Sequence, residues 1–230
     1  MTTPKIAIIG PGRMGAAVEA VARAASVPVV ATIDERTAIT AQSLAGADVA
    51  IEFTEPSSAV ANIRACVRAG CPVVVGTTGW YDELPDVTEF VESNDGTMLW
   101  AANFSLGVAA VAQLVRNAGS LLTRLPGFEA AMIELHHGAK KDAPSGTARM
   151  LQQQFSSASG TDLPVTSVRV GGIPGTHKLI LDGAFEQIVI SHEARDRRVF
   201  AEGALAGARW VVGRKGVFTL DDVLVQEEGA

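Results

Sequence analysis

The stretch that decides the fold is Lys5-Ile6-Ala7-Ile8-Ile9-Gly10-Pro11-Gly12-Arg13-Met14-Gly15. A short apolar run ends in Gly10, and helical spacing takes over from Arg13 to about Ala25, so the pattern reads strand, tight turn, helix. Gly10, Gly12 and Gly15 fit G-x-G-x-x-G in the place that motif requires. Such glycines permit a tight turn, close backbone approach to a pyrophosphate and tight helix–strand packing, while the helix N-terminus offers N–H groups to the phosphates. A glycine-rich turn alone is weak support, and its context strengthens it. Val27 to Ile33 is β-branched and reads as a second strand, and Asp34 lies at its end, about twenty residues on, where an acid can accept hydrogen bonds from adenosine ribose hydroxyls. A helix cap or solvated turn is the structural alternative for Asp34. A carboxylate here repels a 2′-phosphate, and Glu35 adds a second negative charge that Arg36 offsets in part, so NADH is expected to be preferred over NADPH.

Outward from this unit, Asp48 to Phe53, Pro72 to Val75 and Thr97 to Ala102 read as strands, and Ser57 to Ala69 has helical spacing between Pro56 and Gly70. Strands alternating with helices imply crossovers and a parallel sheet. Two segments follow strand ends, where ligands of open α/β sheets bind: Gly76-Thr77-Thr78-Gly79 and Ala101-Ala102-Asn103-Phe104. Small residues at Gly76 and Ala102 would leave room for a flat ring, and Thr and Asn could bond a carboxamide; a plain turn is the rival reading. After Phe104 the rhythm changes. A helix is expected over Val108 to Leu122, a strand over Glu129 to His136, a helix from near Thr147, a soft segment over Ser156 to Leu163, and strands over Val165 to Val170, His177 to Leu181 and Glu186 to Ser191. Strands in succession suggest a mixed or antiparallel sheet in a second α+β domain. Gly203 to Arg214 looks helical and could return to the first. The expected division is 1–104 with 203–230 for the dinucleotide-binding domain, and 105–202 for a substrate-binding and oligomerisation domain.

Composition narrows the function. The formal charge of −6 argues against nucleic acid or an anionic membrane surface as a general partner. No apolar run approaches the roughly 20 residues of a membrane span, and Met1 to Ile9 enters a strand pattern directly, so a cytoplasmic protein without a signal peptide is expected. Cys66 and Cys71 provide neither a disulfide framework nor a four-ligand zinc set, and read as small buried residues.

Glu134 to Ala148, E-L-H-H-G-A-K-K-D-A-P-S-G-T-A, sets two of the four histidines and two lysines beside a Ser-Gly-Thr turn. His136 and His137 are adjacent at a strand end and so point to opposite faces, which suits different jobs rather than one shared metal ion; no metal is expected. Lys140 follows in the same loop, and Lys141 reads as solvent-facing. Ser145 can cap the next helix, leaving the N–H groups of Gly146 and Thr147 to hold a carboxylate. A cationic pocket of this kind suits an anionic small molecule that needs a proton.

These residues resemble those of the dihydrodipicolinate reductase family (4-hydroxy-tetrahydrodipicolinate reductases of the diaminopimelate route to lysine). The pattern E-x-H-H-x-x-K-x-D-x-P-S-G-T is complete from Glu134 to Thr147. The likeness extends over the Gly-rich loop, Phe53 to Pro56, Gly76 to Gly79, Asn103 to Gly107 and Ser191 to Leu224. It implies His136 as proton donor/acceptor and Lys140 as proton donor, with His137, Gly146 and Thr147 binding a dicarboxylate. Gly10, Pro11, Gly12, Arg13, Met14, Gly15, Asp34, Gly76, Thr77, Thr78, Ala101, Ala102, Asn103 and Phe104 would line an NADH or NADPH site. The family passes a hydride from NAD(P)H to C4 of an unsaturated cyclic imine, after which the adjacent ring carbon is protonated. Its fold is a Rossmann-like domain plus a mixed-sheet domain through which subunits form a homotetramer. This chain departs in three places. The glycine loop is one residue shorter than the common form, Glu35 stands where NADPH-using relatives often have Arg, and Asp34 to Asp48 is too short for a usual strand and helix. Two rivals are another nicotinamide-dependent dehydrogenase of amino or hydroxy acids, which has no need of the His-His-x-x-Lys loop, and a non-catalytic nucleotide sensor, which should have lost His136 or Lys140.

Overall fold

In the computed structural model, which describes residues 3–224, the apolar run Ile6–Ile9 is β1 and every residue of it is buried. The chain continues through α1 (Arg13–Ala24), β2 (Val29–Ile33), β3 (Val49–Glu52), α2 (Pro56–Arg68), β4 (Val73–Val75), a 3₁₀ turn (Tyr81–Glu83), α3 (Leu84–Ser93) and β5 (Thr97–Trp100). Strands β1, β3 and β4 are apolar throughout, apart from Glu52, and wholly buried, the pattern of a parallel sheet covered on both faces. Between β2 and β3 the residues from Asp34 to Asp48 form turns only. Leu44, 3% exposed, and Ile39 fill the core there in place of a crossover helix.

The second unit comprises α4 (Leu106–Leu122), β6 (Glu129–His136), α5 (Gly146–Ser159), β7 (Val165–Arg169), β8 (Thr176–Asp182) and β9 (Gln187–Glu193). Its sheet runs β7-β6-β8-β9, with β7 parallel and β8 antiparallel to β6, and β9 antiparallel to β8. Met132, Leu179 and Leu181 project from one face onto Ala112, Val115, Leu151 and Phe155 of the two helices. Ile133, Leu135, Val168, Ile180 and Val189 lie on the alternate positions, so they occupy the opposite face.

The chain then forms α6 (Arg198–Val211), β10 (Gly216–Thr219) and α7 (Leu220–Leu224). β10 pairs in parallel with β5 and completes a six-stranded sheet, β10-β5-β4-β3-β1-β2. Helix α6 lies against the same sheet at Gly207, beside Leu99 of β5, and meets the segment after β5 at Gly203, where a Cβ would overlap the carbonyl of Phe104. The two compact units are residues 1–105 with 198–230, and 106–197. Residues 1–2 and 225–230, at the ends of the expected first domain, lie outside the described residues.

Several elements differ from expectation. Helix α3 was not foreseen, although Val87 and Val91 bury one stripe of it. Ser156 to Ser159, read as soft, is helical: Phe155 and Ser159 are buried, and Gly160 ends the helix in the left-handed conformation, φ 71°. Helix α6 starts at Arg198 rather than Gly203, and β10, four half-buried residues without alternation, gave no strand signal.

Candidate functional site

The period of two along β6 puts Met132, Glu134 and His136 on the helix-covered face. Met132 joins the apolar core, whereas Glu134 and His136 form a polar cluster at the strand's end. Glu134 is wholly buried and His136 is 8% exposed. The Glu134 carboxylate meets Nδ1 of His136 through Oε2, and receives both terminal nitrogens of Arg169, at 2.9 Å on Oε2 and 2.6 Å on Oε1. It also accepts the Ser145 backbone N–H at 3.2 Å. The parallel register sets Arg169 opposite His136, and the antiparallel register sets His177 opposite Glu134. Thus strands from three parts of the sequence supply one cluster.

Its electrostatics follow from burial and pairing. Burial would raise the Glu134 carboxyl, but hydrogen bonds from Arg169, Ser167 and His136 outweigh it and hold the pKa down at about 2. Burial lowers the pKa of His136; the Glu134 charge opposes this, and Lys140 and Arg169 add to it. With Nδ1 held by a carboxylate, Nε2 is the nitrogen left for proton exchange. A Cβ at Gly175 would lie 3.0 Å from that Nε2, so the glycine keeps this edge of the ring clear.

The loop between β6 and α5 is tied to the same cluster. Lys140 pairs with Asp142 at 2.8 Å and Arg149 approaches Asp142 at 3.8 Å, while the Asp142 carbonyl accepts from Arg169 at 2.6 Å. The Lys140 hydrogen bond lowers the Asp142 pKa. His137, half-buried, lies just beyond β6, and its carbonyl accepts the Lys140 N–H at 3.1 Å. Lys141 is exposed. The peptide bond before Pro144 is cis. Ser145 caps α5 as expected, its hydroxyl accepting the Ala148 N–H at 3.1 Å, and Gly146 and Thr147 follow it in the first turn of the helix. Among the described residues no group of three or more His, Cys, Asp or Glu is arranged to hold a metal ion.

In the first unit, the parallel registers bring the residues after β1 to β5 to one sheet edge. The order reverses between β1 and β3, the switch point where open α/β sheets bind ligands. Gly10 takes φ 92°, and a Cβ there would overlap the Phe53 carbonyl; one at Gly15 would overlap the Gly10 carbonyl. Gly12 has nothing within 4 Å of its missing Cβ, and no side chain caps α1. Pro11 and Arg13 are exposed and Met14 is half-buried. Asp34 is exposed, and its Oδ1 accepts from Arg36 N at 3.1 Å and Thr37 Oγ1 at 2.8 Å. The Thr37 hydroxyl, with the Arg36 amide, lowers its pKa, so it carries full negative charge. Thr77 Oγ1 accepts the Thr54 N–H at 2.7 Å, which leaves its own proton to donate. A Cβ at Gly76 would overlap the Phe53 ring, so packing against Phe53 by itself requires bare backbone there. Thr78 and Ala102 are exposed, Ala101 and Asn103 half-buried, and Phe104 buried against Phe53 at 6.1 Å between centroids. Asn103 Oδ1 accepts the Ser105 N–H at 2.9 Å.

Sequence reading quoted Glu134 and Asp142 without giving them roles, and missed Arg169, His177 and Gly175. Glu134 was within reach, two residues before His136 on one strand face; the others depend on strand pairing that no local signal encodes.

Comparison with known proteins agrees with both units. Residues 4–104 match the family model "Dihydrodipicolinate reductase, N-terminus", and residues 107–224 match "Dihydrodipicolinate reductase, C-terminus". A 4-hydroxy-tetrahydrodipicolinate reductase of Christiangramia forsetii is 33% identical over 231 residues, covering 95% of this chain and 97% of that protein. One from Xanthomonas campestris pv. campestris is 40% identical over 190 residues, 80% of this chain and 77% of its own. The dipicolinate-bound dihydrodipicolinate reductase from Paenisporosarcina sp. TG-14 shares the fold with a TM-score of 0.83 at 21% identity, over 96% of this chain and 99% of that one. GenD2 from gentamicin A biosynthesis, solved with NAD, shares it more distantly, with a TM-score of 0.61 at 12% identity over 97% and 91%. With both halves matched by the family's models and a relative aligned along nearly its whole length, this chain belongs to the dihydrodipicolinate reductase family.

Proposed function

We propose that the protein is a 4-hydroxy-tetrahydrodipicolinate reductase that uses NAD(P)H to give tetrahydrodipicolinate, in the diaminopimelate route to lysine. The observation that carries this reading is the Glu134–His136 couple at the end of β6, braced by Arg169 and followed directly by the loop that holds Lys140 and leads to the capped N-terminus of α5. Gly10 to Gly15, Asp34, Gly76 to Thr78 and Ala101 to Phe104 fit a dinucleotide: the turn demands its glycines, Gly12 is open, and the N-terminus of α1 has no competing side chain. A bound reduced nicotinamide supplies the hydride that an unsaturated cyclic imine accepts at C4.

The chain's own residues do the rest. Gly146 and Thr147 N–H groups, with His137, bind the dicarboxylate, since anions favour a helix N-terminus. Lys140, kept in place by Asp142, adds positive charge and a proton. His136, its pKa lowered by burial, is set to take up and pass on a proton at Nε2, with Glu134 stabilising the charged form when it arises. The proton that Lys140 supplies can thus reach the ring as electron density arrives there. Asp34, ionised and exposed, disfavours a 2′-phosphate, which supports NADH as the preferred cofactor. Ile133, Leu135, Val168, Ile180 and Val189, set among polar residues such as Lys178 on the face of the mixed sheet away from the helices and 43% exposed at Val189, support assembly of a homotetramer through that sheet. The reading places the enzyme in the cytoplasm, where reduced nicotinamide is regenerated. No helix of the described residues is long and apolar enough to cross a membrane. The test is loss of NADH absorbance with substrate generated in the cuvette by the preceding aldolase. Turnover is expected; a folded protein that binds NADH but does not oxidise it contradicts the reading.

A further inference from the structure

Of the buried ionisable residues in the second unit, Glu134, His136 and His177, the mechanism above leaves His177 unused. His177 is 5% exposed and lies on the helix-covered face of β8, in line with the core residues Leu179 and Leu181. An apolar side chain would satisfy that row, and burying an imidazole costs free energy unless it is hydrogen-bonded. Its Nε2 lies 3.1 Å from Ser145 Oγ, the hydroxyl that caps α5, and its ring meets that of His136 edge-on, at 5.3 Å between centroids. Nδ1 of His177 has no hydrogen-bond partner among the described residues.

We propose that His177 is a positioning residue for the substrate carboxylate: through the Ser145 hydroxyl it fixes the first turn of α5, which presents Gly146 and Thr147. Ser145 is held twice, by Glu134 on its backbone N–H and by His177 on its side chain. Burial, reinforced by the charge on His136, lowers the pKa of His177 to about 4, so the ring is neutral near pH 7 and carries one proton. That proton belongs on Nε2, where it reaches Ser145, because a buried N–H at Nδ1 would go unpaired. The proposal rests on the reductase reading, in which the α5 terminus binds a carboxylate.

The test uses the full chain and measures pyridine-2,6-dicarboxylate affinity by calorimetry, together with substrate and NADH KM. His177→Gln places an amide N–H near the position of Nε2; His177→Asn places one near Nδ1, out of reach of Ser145. H177N is expected to weaken dicarboxylate binding and raise substrate KM by about tenfold, the effect of losing one net hydrogen bond. NADH KM should stay within about twofold, and H177Q should recover most of the loss. In a Ser145→Ala background, H177N should add less than about twofold, because the two act in series. Wild-type affinity in H177N, equal losses in H177N and H177Q, or independent losses in the double variant each overturn the positioning role. A wild-type protein that does not bind the dicarboxylate removes the reductase reading and this proposal together; wild-type binding with an unaffected H177N removes the proposal alone.

Discussion

Replacing Glu134 with Gln keeps the shape of the side chain and removes its charge. In the native protein that carboxylate is wholly buried, bound by both terminal nitrogens of Arg169, the Ser145 N–H and His136. Its pKa falls from an ordinary 4.5 to about 2, which corresponds to roughly 3 kcal/mol of native-state stabilisation at neutral pH. Breaking a buried ion pair by removing one partner costs about 3–5 kcal/mol, and the isosteric amide keeps part of the hydrogen bonding, so the lower end applies. The sign of the pH dependence follows. A carboxyl depressed in the folded state contributes fully above its unfolded value near 4.5, and the contribution disappears as pH falls through about 2. The stability gap between wild type and E134Q should therefore be about 3 kcal/mol at neutral pH and less than half of that near pH 3. Urea unfolding followed by far-UV circular dichroism measures it. Tryptophan fluorescence does not, because Trp80, Trp100 and Trp210 all lie in the first unit. A gap below about 1 kcal/mol at neutral pH, or one independent of pH, refutes the account of Glu134 as a charged brace.

Three further outcomes are expected. Lys140→Met should reduce turnover by about 10²- to 10⁴-fold while NADH affinity stays nearly unchanged, since a proton donor is lost from the second unit alone; near-native rates contradict its role. Gly175→Ala, with a Cβ 3.0 Å from His136 Nε2, should displace the imidazole and lower kcat roughly ten- to a hundredfold in a folded protein; unchanged kcat shows that Nε2 is not the reacting nitrogen. Asp34→Ser should raise kcat/KM with NADPH relative to NADH by about tenfold, by removing one charge beside the 2′-position; a constant ratio shows that Asp34 does not select the cofactor.

Much of the first unit was legible because parallel strands and their helices announce themselves locally. Ile6–Ile9 is continuous and apolar, the glycines follow at once, and Asp34 ends the next strand. What escaped notice carried weak local signals. Helix α3 buries only Val87 and Val91, and β10 is a four-residue edge strand held by its pairing with β5. The second unit was legible as a loop of reactive residues but not as a cluster. His136, Lys140 and the Ser145 cap are close in sequence, whereas Arg169 reaches Glu134 from 35 residues away and His177 reaches Ser145 from 32. Strand register creates those contacts, and a single sequence does not display register. Gly76 shows the same limit: its packing against the Phe53 ring, which leaves no room for a Cβ, comes from a residue 23 positions away and has no local signal.

The most direct measurement is a crystal structure with NADH and pyridine-2,6-dicarboxylate bound together. One carboxylate is expected on the N–H groups of Gly146 and Thr147, Lys140 and His137 beside the ring, and the pyrophosphate at Gly10 to Gly15. A dicarboxylate settled away from the loop between β6 and α5, or a dinucleotide away from the glycine turn, contradicts it.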